Sequence, residues 1–250
     1  MSRTLAAAQK PPNPGRAPLL REARDAMYRR HVLDVAEQIF ASHGEAGTKM
    51  QDVAAAASIS LATLYAAFPK KAALYQAIVA ERGDELLARV TETLQALRRE
   101  GAPPIVMMLR GMTTHLRFFM EHPAFLKMNL LEGHAWYHGA ARPSREQEDH
   151  WSRGERLLEA GFALGQKKGL IVPEDPIAQA RTMVALQQTR LAGWVLDGMR
   201  APPDEVIAAA QAEYVRTFCR PAVAEKLLVE DGSRLEAHAL DARPRAKGRR

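Results

Sequence analysis

The sequence predicts an all-α protein in which a small N-terminal unit of three helices precedes a larger C-terminal helical domain. Apolar residues recur at helical spacing from residue 24 to about residue 220. No stretch shows the sustained alternation of apolar and polar residues that marks a half-buried strand. With 250 residues, 47% of them hydrophobic, the chain can bury a sizeable core without a disulfide or a metal.

The first predicted helix runs from residue 24 to about His43, where Gly44 ends the periodic pattern. Its apolar residues fall at i, i+3, i+4, i+7 and i+8, which places them on one face. These residues are Val32, Val35, Ala36, Ile39 and Phe40.

Two short helices follow and are joined by a tight turn. Thr48 and Gln51 have the spacing of a capping box, which predicts the start of the second helix. Ser58, Ile59 and Ser60 interrupt the pattern, and Ser60 is placed to cap a third helix. Two short helices on a preceding amphipathic helix are the parts of a helix-turn-helix, whose second helix enters the major groove of DNA.

The rest of the chain divides into longer helices at its Gly- and Pro-rich segments. We predict a helix-turn-helix unit over residues 23–74 and a helical body over residues 75–222. Residues 1–22 are predicted to be a disordered arm and residues 223–250 a flexible basic tail. The predicted helices of the body span residues 70–99, 104–121, 123–138, 144–168, 176–198 and 203–219.

Positive charge is concentrated at the two ends of the chain. The formal net charge is +6, and residues 1–74 hold 10 Lys and Arg against 6 Asp and Glu. The body is close to neutral, whereas the last 18 residues are basic again. A basic front on a neutral body suits a unit that binds a polyanion. The basic tail is equally well read as a solvated terminus.

Residues 46–74 contain a set of residues at fixed spacing. The set consists of Thr48, Val53, Ala54, Ala57, Ile59, Ser60, Thr63, Leu64, Tyr65, Phe68, Pro69, Lys71 and Leu74. Without a gap, these positions resemble the DNA-binding signature of the tetracycline-repressor (TetR) family.

The resemblance implies a repressor that a small molecule releases from a palindromic DNA operator. It also implies roles for individual residues, with Thr48 and Lys71 at phosphates and the third helix facing the groove. Three departures from the family pattern are Ser58 in the turn, Leu61 after the cap and Ala67 before Phe68. The DNA-binding residues expected on this basis are Thr48, Lys49, Ser60, Leu61, Ala62, Thr63, Tyr65, Lys70 and Lys71.

Residues 104–170 are rich in methionine, histidine and aromatic side chains, which can line an apolar ligand pocket. Such residues at helical spacing are more often plain core, so each assignment competes with that interpretation. The candidate ligand-binding residues are Met108, Met112, His115, Phe119, His134, Trp136, Tyr137 and Phe162.

The last two predicted helices, within residues 176–219, are apolar with small residues between. The resemblance implies that two such helices from each subunit form a four-helix dimer interface, and their composition is compatible with it. We therefore expect a homodimer.

Other classes of protein are less well supported. The sequence has no dinucleotide or phosphate-binding loop and no nucleophile elbow, so we expect no enzyme and no cofactor. His134 and His138 are four residues apart, but no nearby Glu or Cys completes a zinc site, so no metal is expected.

No apolar run is long enough to span a membrane, and one cysteine, Cys219, fits a cytoplasmic protein. The alternatives are a non-specific basic DNA-binding or scaffold protein and a helical enzyme.

Overall fold

A computed structural model describes residues 16–131 and 145–241, with side-chain environments for residues 24–130 and 152–241. Over these ranges the regular structure is helical, apart from two isolated β-bridges, which confirms the predicted all-α fold. The helices are α1 (Arg16–Gly47), α2 (Met50–Ala56), α3 (Leu61–Ala67), α4 (Lys71–Arg99), α5 (Pro104–Glu121), α6 (Pro123–Leu131), α7 (Arg145–Lys167), α8 (Pro176–Leu196), α9 (Pro203–Phe218) and α10 (Pro221–Leu227).

The N-terminal unit is built from α1, α2, α3 and the first turns of α4. The apolar face predicted for α1 is present, with Val32, Ala36 and Phe40 buried in the core of this unit. Leu64 of α3 and Leu74 of α4 are fully buried in the same core. The short helices are therefore fixed by tertiary packing, which isolated helices of this length need.

The two ends of α1 differ in how well the sequence predicts them. Helical geometry breaks at Gly44, whose φ of 67° suits a residue without a Cβ atom. This agrees with the predicted stop. At the other end the structure corrects the predicted arm of residues 1–22, because α1 already begins at Arg16. A pattern based on apolar periodicity does not extend over this first part of the helix, and residues 24–31, which follow it, are exposed.

The body consists of α4 to α9 around a second core. Leu109 and Leu116 of α5, Phe162 of α7 and Leu191 of α8 are fully buried there. α4 contacts α1 on one side and α5 and α7 on the other. This long helix therefore connects the N-terminal unit to the body.

The structure corrects the predicted flexible tail of residues 223–250 over its described part. α10 forms at Pro221–Leu227, and Leu228 pairs with Leu235 in an isolated antiparallel bridge. Leu227 and Ala239 are buried against the body. These few apolar residues lie in a segment with an excess of basic residues, so the charge of the segment does not predict that they pack against the body. Residues 242–250 lie outside the described residues.

The apolar residues of α8 and α9 mostly serve the subunit's own core. Met183, Leu191 and Trp194 of α8 are buried within the subunit, and so are Tyr214 and Phe218 of α9. The outward face of α8 is instead made of small residues. Most of the apolar residues of α8 and α9 that predicted a dimer interface therefore pack inside a single subunit.

None of the described helices is long and apolar enough to cross a membrane.

Candidate functional site

The turn between α2 and α3 has a left-handed residue at its centre. Ser58 has a φ of 56°, and the amide of Ile59 donates to the carbonyl of Ala54 at 3.0 Å. A residue with a Cβ atom strains this conformation, whereas glycine does not. The position where this chain departs from the family pattern is thus one where the backbone favours glycine.

α3 presents an exposed face beside this turn. Leu64 is the one buried side chain of the helix, whereas Ala62, Thr63 and Tyr65 are exposed. The Tyr65 side chain is 42% exposed, unusually high for an aromatic residue. α3 therefore has the free surface that a recognition helix needs.

Ser60 caps α3 as predicted. Its Oγ accepts a hydrogen bond from the amide of Thr63 at 3.0 Å, and it lies 2.7 Å from Thr63 Oγ1. This cap satisfies one of the free amides at the helix N-terminus. The two hydroxyls already bond each other, so each retains only part of its capacity for contacts with DNA. Leu61, the next residue, is half-buried against the core of the N-terminal unit.

The structure corrects the role expected of Thr48. Its side chain is only 3% exposed, and its Oγ1 donates to the Gly44 carbonyl at 2.8 Å. The N-cap residue of α2 is Lys49, and no side chain caps this helix, so the predicted capping box does not form. Thr48 instead closes the C-terminal end of α1, where free carbonyls need donors.

Lys71, expected to contact phosphate, makes two hydrogen bonds within the protein. Its Nζ donates to the Thr48 carbonyl at 3.0 Å and to the Ala46 carbonyl at 3.3 Å. Lys71 thereby ties the segment between α1 and α2 to the start of α4. Lys49 and Lys70 are the exposed lysines at the N-caps of α2 and α4. Both are more exposed than Lys71.

A large cavity lies in the body between α4, α5, α6, α7 and α8. Its volume is about 400 Å³, within the range of small-molecule sites. Four of the predicted residues line it: Met108, Met112, His115 and Phe119.

The remaining predicted ligand residues are placed differently. Phe162 is fully buried in the body core, with its ring 5.1 Å from that of Phe218, and it does not line the cavity. His134, Trp136 and Tyr137 lie outside the described residues, as does His138.

Sequence reasoning missed Gln187, which lines the cavity from α8. Gln187 is almost fully buried and falls between Met183 and Leu191 at steps of four residues, on the inward face of α8. A buried amide within an apolar face is the signal that could have identified it, since such groups need partners. The resemblance assigns α8 to the dimer interface and gives no role to this inward face.

The cavity wall contains a histidine held in its neutral form. Burial lowers the pKa of His115 to about 4, opposed only by its hydrogen bond to the Gln187 side chain. His115 Nδ1 and Gln187 Oε1 are buried without a hydrogen-bond partner. An unpartnered buried polar atom costs about 1–3 kcal/mol. This pair is therefore the candidate polar anchor of the cavity.

α6 connects the cavity wall to the N-terminal unit. The ring of Phe125 stacks on that of Phe119 at 5.6 Å between centroids, and both rings line the cavity. Phe125 and Met128 are also buried in the core that contains Phe40 and Ala36 of α1. A change in cavity shape therefore acts directly on residues that pack against α1.

Arg82 of α4 forms a second connection between α1 and α4. Its guanidinium donates to Glu37 at 2.8 Å, Glu85 at 2.9 Å and Asp34 at 3.3 Å. The side chains of Arg82 and Glu37 are only 12% and 4% exposed. A buried guanidinium that can form two parallel hydrogen bonds fixes the angle between α1 and α4.

The comparisons with known proteins agree with this architecture. The family model of the bacterial regulatory proteins of the tetR family matches residues 32–78, which include α2, the turn and α3. Residues 32–78 therefore carry the DNA-binding domain that this tetR family model describes. No curated protein sequence matches it.

Solved structures of other proteins share the fold of this chain across both its N-terminal unit and its body. A family member from Shewanella sp. PV-4 is 14% identical, with a TM-score of 0.63, over 77% of this chain and 98% of that one. SmeT, the repressor of the Stenotrophomonas maltophilia multidrug efflux pump SmeDEF, is 19% identical with a TM-score of 0.59, over 78% and 92% of the two chains. AibR in complex with isovaleryl coenzyme A and operator DNA is 20% identical with a TM-score of 0.57, over 74% and 97%.

Proposed function

We propose that this chain is a dimeric repressor of the TetR family, which binds a near-palindromic operator through α3 and leaves it when a small molecule enters the cavity. The observation that carries the proposal is the exposed face of α3 on a unit whose core continues into the cavity wall at Phe125. We infer no enzymatic activity. A regulator acts on DNA, so we also propose a cytoplasmic location.

DNA contacts are assigned to the exposed groups around α3. Lys49 and Lys70 supply cations for phosphate, and Tyr65 supplies a ring with a polar tip. Ala62 has an apolar side chain that suits contact with a thymine methyl group. Thr63 supplies a hydroxyl on the same face. Thr48 and Lys71 position this surface through their bonds to backbone carbonyls.

This division of roles predicts different salt dependences for two neighbouring lysines. Lys70→Ala should weaken operator binding and reduce the slope of log K against log salt by about 0.9 for each phosphate that the side chain no longer neutralises. Lys71→Met should weaken binding with an unchanged slope, and should also destabilise the protein by about 1.5–3 kcal/mol, since it removes charged hydrogen bonds. Filter binding at several salt concentrations and urea unfolding check both results.

The operator must first be obtained by selection from a random duplex library. An enriched near-palindrome that Tyr65→Ala fails to bind supports the proposed recognition surface. Selection that enriches no motif would instead favour the non-specific DNA-binding alternative. A shallower salt slope for Lys71→Met than for Lys70→Ala would reverse the roles assigned to the two lysines.

Dimerisation is assigned to the outward face of α8. Ala178, Thr182, Ala185 and Thr189 form an exposed stripe of small side chains along it. At its end Leu196 is 87% exposed, a large apolar side chain without cover in the monomer. Small residues let two helices approach closely, so a second copy of this chain fits the stripe. Two recognition helices about 34–36 Å apart then meet successive major-groove faces.

A charge at the centre of this stripe should separate the subunits. Ala185→Glu is expected to be a monomer with at least tenfold weaker operator binding, because two buried carboxylates would face each other. Ala88→Glu places the same charge on the exposed side of α4 and serves as control. Light scattering at micromolar concentration checks both. A wild-type monomer, or a dimeric Ala185→Glu, would contradict the assigned interface.

A further inference from the structure

We propose that the cavity binds a neutral, largely apolar molecule that carries a hydroxyl group, such as a long-chain alcohol or a phenol. The inference rests on the proposed function, in which the cavity is the effector site. It goes further by naming the chemical class of the ligand.

The walls of the cavity are overwhelmingly apolar. α4 contributes aliphatic residues, α5 methionines and Phe119, and α7 leucines with Gly154 and Gly161. The glycines leave space, since a Cβ atom on Gly161 would meet only Met108 Cε at 3.9 Å. At the packing density of protein interiors, about 400 Å³ holds a ligand of roughly 15 to 20 heavy atoms.

The charge of the cavity wall argues against ionic ligands. Glu155 is the one charged residue among the described lining residues, and it pairs with Arg181 at 2.8 Å. His115 is neutral at pH 7, since its pKa is about 4. An ion without a counter-charge in such a wall loses several kcal/mol of hydration free energy. Carboxylates, phosphates and quaternary ammonium groups therefore lack a partner among the described residues.

The polar anchor matches a hydroxyl in particular. His115 Nδ1 and Gln187 Oε1 lack partners, and the Gln187 side chain lies near enough to the ring to oppose the effect of burial on the pKa of His115. If the amide nitrogen donates to the ring, the free groups are a ring N–H donor and an amide oxygen acceptor. In the flipped amide orientation the free groups are a ring nitrogen acceptor and an amide N–H donor. In either orientation, one donor and one acceptor remain.

A hydroxyl group both donates and accepts, so one hydroxyl satisfies both free groups. Neighbouring atoms cover both His115 Nδ1 and Gln187 Oε1. The ligand therefore reaches them after the His115 ring or the Gln187 amide rotates about the last bond of its side chain. Such rotations have broad energy minima. Asn129 is less suited to this task because its amide already donates to the Phe125 carbonyl at 2.8 Å.

The test compares four probes on the free protein by titration calorimetry at pH 7.5. 1-Decanol, decanoate and decyltrimethylammonium share one chain and differ in head group, and butylbenzene has no polar group. We expect 1-decanol to bind at least tenfold more tightly than either ion. Equal or tighter binding of an ion, or no binding of any probe, would overturn the inference.

Variants show whether the hydroxyl uses the predicted anchor. His115→Phe should weaken 1-decanol binding about three- to tenfold, the range of one hydrogen bond, and should leave butylbenzene binding within about twofold. His238→Phe, the same change at an exposed histidine that does not line the cavity, should change neither. An equal loss for both probes would mean that His115 only shapes the cavity, and the hydroxyl assignment would be withdrawn.

Operator release is a separate readout. Adding 1-decanol to the preformed operator complex tests the regulation, whereas calorimetry tests the ligand class. Selective 1-decanol binding with unchanged operator affinity would refute the proposed regulation and leave the ligand class standing. Release by a charged ligand that binds the same cavity would do the reverse. Gly161→Leu, which should fill the cavity, is expected to abolish both binding and release while retaining operator affinity.

Discussion

Replacing Arg82 with methionine is expected to lower the free energy of unfolding by about 3–5 kcal/mol, because the buried carboxylate of Glu37 is left without its partner. Arg82 Nε lies 2.8 Å from Glu37 Oε2, and both side chains are largely excluded from water. Asp34 and Glu85 lose the same partner, but they are more exposed and keep ion pairs with Arg30. The cost therefore arises chiefly at Glu37.

A double variant separates the ion pair from the packing around it. Glu37→Met together with Arg82→Met removes both charges and should be close to wild type in stability, since apolar residues of similar volume replace a buried pair. Arg117→Met is the matched control, because Arg117 pairs with the exposed Asp204 and should contribute less than about 1 kcal/mol. Urea unfolding at a fixed protein concentration measures all three.

The outcome of this comparison also bears on regulation. Arg82 connects α4, which lines the cavity, to α1, which carries the N-terminal unit. If Arg82→Met costs no more than Arg117→Met, the buried pair does not hold the two helices together. The connection between cavity and recognition helix would then rest on the packing of Phe125 and Met128 against α1.

The sequence predicts the helices well because local signals determine them. Gly44 ends α1 and Ser60 caps α3, as their residue types and positions indicate. The function of the N-terminal unit is likewise readable, because a compact motif of fixed spacing resembles a known family. Exposure of Tyr65 on α3 agrees with the surface expected from that motif.

The roles of individual polar residues were harder to predict. Thr48 and Lys71 match the family pattern, yet their side chains bond backbone carbonyls that only the folded chain brings near them. Lys71 and Ala46 are 25 residues apart in sequence. The same limit applies to Gln187, whose partner His115 lies on another helix. Partners distant in sequence are fixed by tertiary packing, which periodicity does not encode.

Stability is expected to depend on His115 between about pH 6.5 and pH 4. Burial lowers the pKa of His115 from 6.5 to about 4. In the unfolded chain this ring takes up a proton as the pH falls below 6.5, whereas in the folded protein it does so only near pH 4. The unfolded state therefore binds more protons across this window, and the free energy of unfolding falls as the pH falls. The full contribution is about 3 kcal/mol, present above the unfolded pKa.

His115→Phe should remove this part of the pH dependence. The variant keeps a ring beside Phe119, whose centroid lies 5.1 Å from that of His115. Urea unfolding at pH 7.5, 6.5, 5.5 and 4.5 should show the free energy of unfolding of the wild type falling relative to that of the variant as the pH falls. Carboxylates titrate in both proteins and cancel in the difference. His238→Gln, a change at an exposed histidine, should follow the wild type. Parallel curves for wild type and His115→Phe would show that the ring takes up its proton as readily in the folded protein as in the unfolded chain, and the cavity wall would then gain a charge below about pH 6.5.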